Sequence, residues 1–376
     1  MALCGLALLR FLIAHPDSFR SFKPLPVFIC AAAWITWLYC TAFFSTMPLV
    51  SFKYVLIESV QCILFLPGLF FLTEHWKSLL KIYFISMLGV VIYTLIHHGF
   101  YHFRSDQALL APMPFFPENN LYAAVIALLL PWMFFDTHIF KTSRLKTGVA
   151  ILFSVALFLS FSRSALLSSA LVGFLVLAIW WLFSQRKNRL LILGLTIGVF
   201  LAIIPFLQPL FVQKINCDVS VMERMNRYHC AARMVSARPW TGFGPGTFAN
   251  QYFSFQKAEE MTRISLSAPI SGRNPATYGR GGGAHSEYWQ TLTETGIPGF
   301  VVLGLLVLIL LGFTWNYRNL LSDPRVLCCL CSLGIFLLLG LANNFMHDGR
   351  VAALVWGQIA LLSSYFTRIS KNEPSF

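Results

Sequence analysis

Residues 297–316 read IPGFVVLGLLVLILLGFTWN, without one charged side chain. A run of this length crosses the ~30 Å hydrocarbon layer of a bilayer as a helix rising 1.5 Å per residue. In lipid the backbone has no water to bond, so a helix satisfies its N–H and C=O groups within the segment. Outward from this run the pattern repeats, near 24–45, 54–72, 79–97, 121–136, 147–162, 165–184, 190–210, 326–346 and 351–367. The expected fold is an all-α polytopic membrane protein with about ten transmembrane helices plus a large external, partly helical loop. Its parts are an N-terminal transmembrane bundle (1–210), the loop (211–296), and C-terminal helices with a short tail (297–376). Residues 1–14 are apolar but short and carry Arg10, so both an interfacial segment and a further span stay open. They lack a charged start and a small-residue cleavage site, so no cleavable signal is expected.

Composition agrees. The chain has 376 residues, 57% hydrophobic and 11% charged, with a mean hydropathy of +0.68. Soluble domains carry about 25% charged residues. A soluble globular protein, a disordered chain and a disulfide scaffold are thereby excluded. The net charge of +13 comes from 28 Lys and Arg against 15 Asp and Glu. In a soluble protein this excess would point to nucleic acid. Here topology accounts for it, and no nucleic-acid partner is expected. Cytoplasmic loops attract Lys and Arg. With 15–23, 73–78, 138–146, 185–189, 317–325 and the tail placed inside, together with the nearby Arg10 and Lys81, fifteen basic residues fall on that side. The opposite short loops and helix ends hold four: Lys53, Arg104, Arg163 and Arg350. The other nine lie between 211 and 296, a loop long enough to be exempt from the bias. Both termini come out cytoplasmic. The three arginines at 104, 163 and 350 then sit against the insertion bias and call for anionic partners.

Long loops without secondary structure are uncommon unless they have a function. In this one, residues 220–237 (SVMERMNRYHCAARMVSA) read as a helix. Ser220 and Glu223 form a capping box, Val221, Met225, Tyr228, Ala232 and Val235 make an apolar stripe, and Arg238-Pro239 ends it. Arg224 and Arg227 lie three apart on one flank. Gly242-Phe243-Gly244-Pro245-Gly246 reads as a tight turn, whose amides could cradle an anion, although a plain turn is the commoner outcome. Cys217 and Cys230 invite a disulfide, but thirteen helical residues separate them by roughly 20 Å, beyond the ~7 Å a bridge allows. No bridge is expected. The other cysteines mostly sit inside apolar runs as small hydrophobes.

Residues 279–283 (GRGGG) read as a hinge, followed by His285-Ser286-Glu287-Tyr288-Trp289-Gln290 and a helix running into the span at 297. A neutral imidazole at this position can take a proton from a hydroxyl near pH 7, and an ordinary interfacial histidine is the alternative. Arg163, in Phe161-Ser162-Arg163-Ser164-Ala165, stands at a junction of two spans, where headgroup contact is an equal reading. His97, His98 and His102 lack zinc-ligand spacing and accompanying Cys or carboxylates. They read as part of an aromatic belt, and no metal site is expected. His347-Asp348-Gly349-Arg350 reads as a capping turn. Glu58 is the main acidic residue inside a span.

Taken in order, the segment beginning at Phe161, Glu223-Arg224, Arg238-Pro239, the 242–248 turn, His285 to Gln290, and Glu294-Thr295-Gly296-Ile297-Pro298-Gly299 resemble the O-antigen ligase family. That family also contains O-antigen polymerases and membrane O-oligosaccharyltransferases. The resemblance covers roughly 147–316, together with Glu118-Asn119-Asn120-Leu121-Tyr122 before one span. Ser286 stands where the family usually has Asn, and Tyr228 where it often has Trp. The resemblance implies an enzyme of the bacterial inner membrane with its active site facing the periplasm. It implies transfer of a glycan from undecaprenyl pyrophosphate to lipid A–core, with inversion, and neither metal nor other cofactor. His285, Arg224 and Arg163 are the implied catalytic residues. Arg227, Gly244, Gly246, Glu287 and Gln290 are candidates for holding substrate. Alternatives are a polymerase, a protein O-oligosaccharyltransferase, and a non-enzymatic transporter of lipid-linked glycan. A transporter should show midplane ionisable groups or inverted repeats.

Overall fold

The computed structural model describes residues 26–71, 75–135, 139, 142–183, 219–260, 283–317, 321 and 323–370. Among these the structure is helical throughout, without a β-strand. Helix α1 is Pro26–Phe43, α2 Pro48–Phe65, α3 Pro67–Phe71 and α4 Trp76–Gly99. Next come α5 (Asn119–Phe135), α6 (Ser143–Leu159), α7 (Arg163–Phe183) and α8 (Val219–Ala237). The short α9 (Phe248–Gln251) precedes α10 (Glu287–Asn316), α11 (Pro324–Leu339) and α12 (Gly349–Ser370).

Four stretches are long and apolar enough to cross a membrane: Pro26–Phe43, Pro48–Phe71, Trp76–Gly99 and Glu287–Asn316. Asn119–Phe135, Arg163–Ala178 and Pro324–Leu339 are shorter apolar helices. The expected number of ten spans therefore is not reached among the described residues. The reason is partly helix length: α5, α6 and α11 have 17, 17 and 16 residues, short of the ~20 that span the core unaided. The expected span at 190–210, residues 1–14, Cys217 and residues 279–282 of the hinge lie outside the described residues.

Helix α5 lies at the centre. Every residue from Leu121 to Met133 is buried, and α6, α7, α11 and α12 all pack on it. A helix apolar on all sides belongs in a protein core or against lipid, and here neighbouring helices cover it. Pro131 interrupts its backbone bonding, and α11 adds side-chain donors to the carbonyls around it. The Ser332 hydroxyl donates to the Leu128 carbonyl at 2.7 Å, and the Cys328 thiol donates to that of Pro131 at 3.4 Å. The outward faces are apolar as well. Ile82, Ile85 and Ile96 of α4 and Leu305, Leu308 and Leu311 of α10 are exposed. In water such faces would drive association, whereas in a bilayer they meet lipid. The chain is a multi-pass membrane protein.

Helix α10 is two helices joined at Gly296, which has φ +71°. Ile297 N–H donates to the Pro239 carbonyl at 2.8 Å, and Pro298 has no N–H to give. The carbonyls of Thr293 and Glu294 thus lose their helical donors. The turn after α8 supplies replacements: Phe243 N–H donates to Thr293 O and Gly244 N–H to Glu294 O, each at 2.9 Å. A Cβ on Gly296 would collide with the Trp240 carbonyl, and one on Gly242 with the Glu294 backbone. The two glycine motifs of the sequence are therefore halves of one joint, and it fixes α8 against the membrane helices.

Candidate active site

Hydrogen bonds link successive loops into a partial ring at one end of the bundle. At the start of α5, Asn119 donates to the Ser160 carbonyl at 2.8 Å, and the Ser162 hydroxyl donates to Asn120 Oδ1 at 2.8 Å. These bonds hold the turn that delivers Arg163 as the first residue of α7. From the loop between α11 and α12, Asn343 donates to Ser164 Oγ at 2.8 Å. The same loop grips the start of α10. Ser286 Oγ and Glu287 N–H both donate to the Gly340 carbonyl, at 3.0 and 2.8 Å, and Met346 N–H donates to Glu287 Oε1 at 2.6 Å. Helix α8 joins through Tyr228, whose hydroxyl lies 2.8 Å from the Leu341 carbonyl and 3.1 Å from that of His285. The Tyr228 ring stacks on Trp289, with centroids 6.4 Å apart.

Two residues on this ring have left-handed backbones that L side chains rarely adopt: Phe161, two before Arg163, and His285 itself, both at φ +54°. Such strain costs on the order of 1–3 kcal/mol and persists where surrounding structure imposes it. At 285 the cause is visible. Ala284 N–H donates to Gln290 Oε1 at 2.7 Å, Ser286 is held by Gly340, and the His285 carbonyl faces Tyr228. The imidazole is left half-buried. Burial, followed by the charges of Arg227 and Arg224, pulls its pKa down to about 4, against an upward influence from Glu223. It is neutral at pH 7. Arg163 is not among the charges that act on it.

The two arginines of α8 differ. Arg227 is buried, with Nε 3.2 Å from Glu223 Oε1, Nη1 donating to the Gly283 carbonyl at 2.7 Å, and the guanidinium 4.9 Å over the Tyr252 ring. Arg224 is half-buried, and its Nε is sealed from solvent without a hydrogen-bond partner. Arg233, Arg325 and Arg350 are each ion-paired, with Glu260, Asp323 and Asp348. Arg224 has no such carboxylate among the described residues. A buried unpaired guanidinium N–H is costly, so it is a group awaiting an acceptor.

The other sequence candidates are engaged in structure. The amides at and just after the 242–246 turn are already taken by a carboxyl group of the same chain. Gly246 N–H and Phe248 N–H donate to the two Glu294 carboxylate oxygens at 2.9 and 3.0 Å. Gly244 N–H is held by the Glu294 carbonyl, and Gln290 donates to Glu294 Oε1 at 2.5 Å. Glu287 clamps the 340–346 loop. Substrate roles for Gly244, Gly246, Glu287 and Gln290 would compete with these bonds, because each donor or acceptor named is already satisfied within the protein. The helix expected at 220–237 forms as Val219–Ala237, and Cys230 is a free, buried thiol. His97 and His98 brace the 100–111 loop through the carbonyls of Ala111 and Arg104, each at 2.9 Å. Asp348 caps α12, accepting from Arg350 N–H at 2.9 Å. No cluster of three or more His, Cys, Asp or Glu able to hold a metal occurs among the described residues. Glu58 is buried in α2 beside Tyr54, facing Glu287 and Glu294.

The sequence reading assigned no role to Asn119, Asn120 or Asn343, which tie the ring. The paired asparagines at the start of an apolar helix were the available signal, since polar side chains there have backbone groups to satisfy.

Comparison with known proteins fits this geometry. Residues 148–304 match the family model described as O-Antigen ligase. That match bears out the family resemblance over this stretch of the chain and supports a glycosyltransferase of the ligase and polymerase type. It contains Arg163, α8, the glycine turn and His285 within its bounds. No curated protein matches the chain significantly.

Proposed function

We propose that the protein transfers a glycan from undecaprenyl pyrophosphate to lipid A–core at the periplasmic face of the bacterial inner membrane. The observation that carries this reading is Arg224, a half-buried guanidinium without a carboxylate, on the ring that also bears His285 and Arg163. A diphosphate supplies the missing acceptor. Arginine suits it because the planar fork bonds two phosphate oxygens at once. When the sugar C1–O bond to phosphate breaks, negative charge grows on the diphosphate, and a preplaced cation stabilises it. Arg163 acts with Arg224 on that leaving group. Arg227 contributes its charge from behind while holding the loop at Gly283. The acceptor hydroxyl attacks from the side opposite the departing lipid, so the anomeric centre inverts. His285, neutral and held by its backbone, orients that hydroxyl. The activated donor provides the energy, and no cofactor is required.

The test is transfer by purified protein from one lipid-linked donor to several acceptors. Arg224→Ala should lower turnover about 10²–10³-fold, the range for a lost charge-stabilising donor. Arg224→Lys should stay poor, because a point charge does not reproduce the fork. Near-wild-type turnover in both Arg224→Ala and His285→Ala would remove the proposal. Transfer to a second lipid-linked glycan, in place of lipid A–core, would identify a polymerase.

A further inference from the structure

Building on that reading, we infer that Glu118 is the group that takes the proton from the attacking hydroxyl. Glu118 immediately precedes Asn119 and Asn120, the two residues that clip α5 to the Arg163 turn. It therefore sits beside that turn, close enough to α8 for Arg224 to act on it. Its carboxylate is half-buried and makes no hydrogen bond or ion pair with any described residue. Nearly every other acid at this end of the molecule is engaged: Glu223 by Arg227, Glu287 by Met346, Glu294 by the glycine turn, Asp348 by Arg350. The charged groups that act on Glu118 are Arg224 from α8 and Asp348 from the turn before α12. Among the described residues the site thus holds Arg224 and Glu118 with no ion-pair partner, within electrostatic reach of each other and not joined.

That separation matters. A carboxylate salt-bridged to Arg224 would cancel the charge needed for the diphosphate. Held apart, the two can act on opposite sides of the anomeric carbon, Arg224 on the leaving group and Glu118 on the nucleophile. Base strength favours the same division. Burial raises the Glu118 carboxyl above the ordinary glutamate value, although Arg224 opposes it, whereas the His285 imidazole is drawn down to about 4. In the step, the acceptor oxygen forms its bond to C1 as its proton moves to the Glu118 carboxylate. The C1–O bond to phosphate breaks, and its electron pair leaves on the diphosphate. Glu118 then returns the proton to solvent.

The experiment is steady-state transfer with full-length protein in lipid nanodiscs, using a lipid-linked glycan and an acceptor that the wild type accepts. A general base contributes about 10²–10⁴-fold, so Glu118→Gln should lower kcat by at least about 10². Donor KM should stay level or fall, since the substitution removes a negative charge that repels a diphosphate. The acid limb of the kcat/KM–pH profile should vanish in Glu118→Gln and persist, at reduced rate, in Glu118→Asp. A Glu118→Gln enzyme with kcat within about threefold of wild type overturns the assignment. So does one with raised donor KM, intact kcat and the acid limb retained, because that is the signature of a residue merely positioning Arg224. If Glu118→Gln does not fold, Glu118→Asp carries the test alone: wild-type kcat in that variant overturns the assignment. A wild type that transfers from no lipid-linked donor overturns the glycosyltransferase reading and this assignment together. A transferring wild type with an unimpaired Glu118→Gln overturns this assignment only.

Discussion

Arg224 and Arg227 stand three residues apart on one helix and have different fates because of what lies at i−4. Arg227 finds Glu223 one turn back, the spacing at which helical side chains meet. Arg224 finds Ser220 at the corresponding position. This contrast was present in the sequence, but spacing alone cannot tell which flank the fold buries. The consequence is separable. Arg227→Ala should destabilise the protein by about 3–5 kcal/mol by breaking its buried ion pair with Glu223. Arg224→Ala should keep the thermal midpoint near wild type while losing transfer. Denaturation in detergent micelles checks both, and similar midpoints for the two variants would contradict the assigned roles. His285 adds a pH signature. Its folded pKa lies below the unfolded value of 6.5, at about 4. Between those values the unfolded chain binds a proton that the folded chain refuses. Its stabilising contribution is therefore present above pH 6.5 and lost as pH falls toward 4. The wild-type Tm should drop more steeply over that window than the Tm of His285→Gln. Parallel curves would mean the imidazole is not held neutral.

At the level of elements, the joint in α10 decides where the site sits. The sequence Glu294-Thr-Gly-Ile-Pro-Gly shows a helix that pauses, and Gly242-Phe-Gly-Pro-Gly shows a turn. Neither shows that the turn serves the pause. That relation is non-local: it joins residues about fifty positions apart, through backbone amides that carry no side-chain signature. Gly296→Ala should be disruptive, since a Cβ would enter the Trp240 carbonyl at a left-handed backbone position. A loss of at least about 1–3 kcal/mol is expected from the strain alone. Glu294→Ala should cost about 1–3 kcal/mol for each of the Gly246 and Phe248 amides left unpaired. Glu294→Gln keeps one acceptor oxygen and should fall between. Thermal unfolding of the three variants orders them. If Glu294→Ala matched wild type, the turn would not depend on the Glu294 carboxyl group. The extent of helix α8, by contrast, was legible from local signals such as its closing Arg238-Pro239, but the face it buries runs through Glu223, Arg227, Cys230, Ala231 and Met234 and not through the expected stripe, on which Met225 is exposed.

Across the whole molecule, hydropathy identified which segments are apolar helices but not how each meets the bilayer. Residues 121–136 read as a span, and α5 is a 17-residue apolar helix sheathed by four neighbours. A buried helix and a lipid-facing one have the same composition, and only packing tells them apart. Orientation rests on charge bias, and α10 offers a direct check of it. From Ile297 to Asn316 it rises about 30 Å at 1.5 Å per residue, the full hydrocarbon thickness. Trp240, whose carbonyl lies beside Gly296, marks one end, and Trp315 marks the other, and both are exposed. With the native cysteines replaced, Trp240→Cys should react with a membrane-impermeant maleimide in intact spheroplasts. Trp315→Cys should react only after the membrane is permeabilised. The opposite pattern would put Arg224 and His285 on the cytoplasmic side, where a donor carried on the outer leaflet could not reach them.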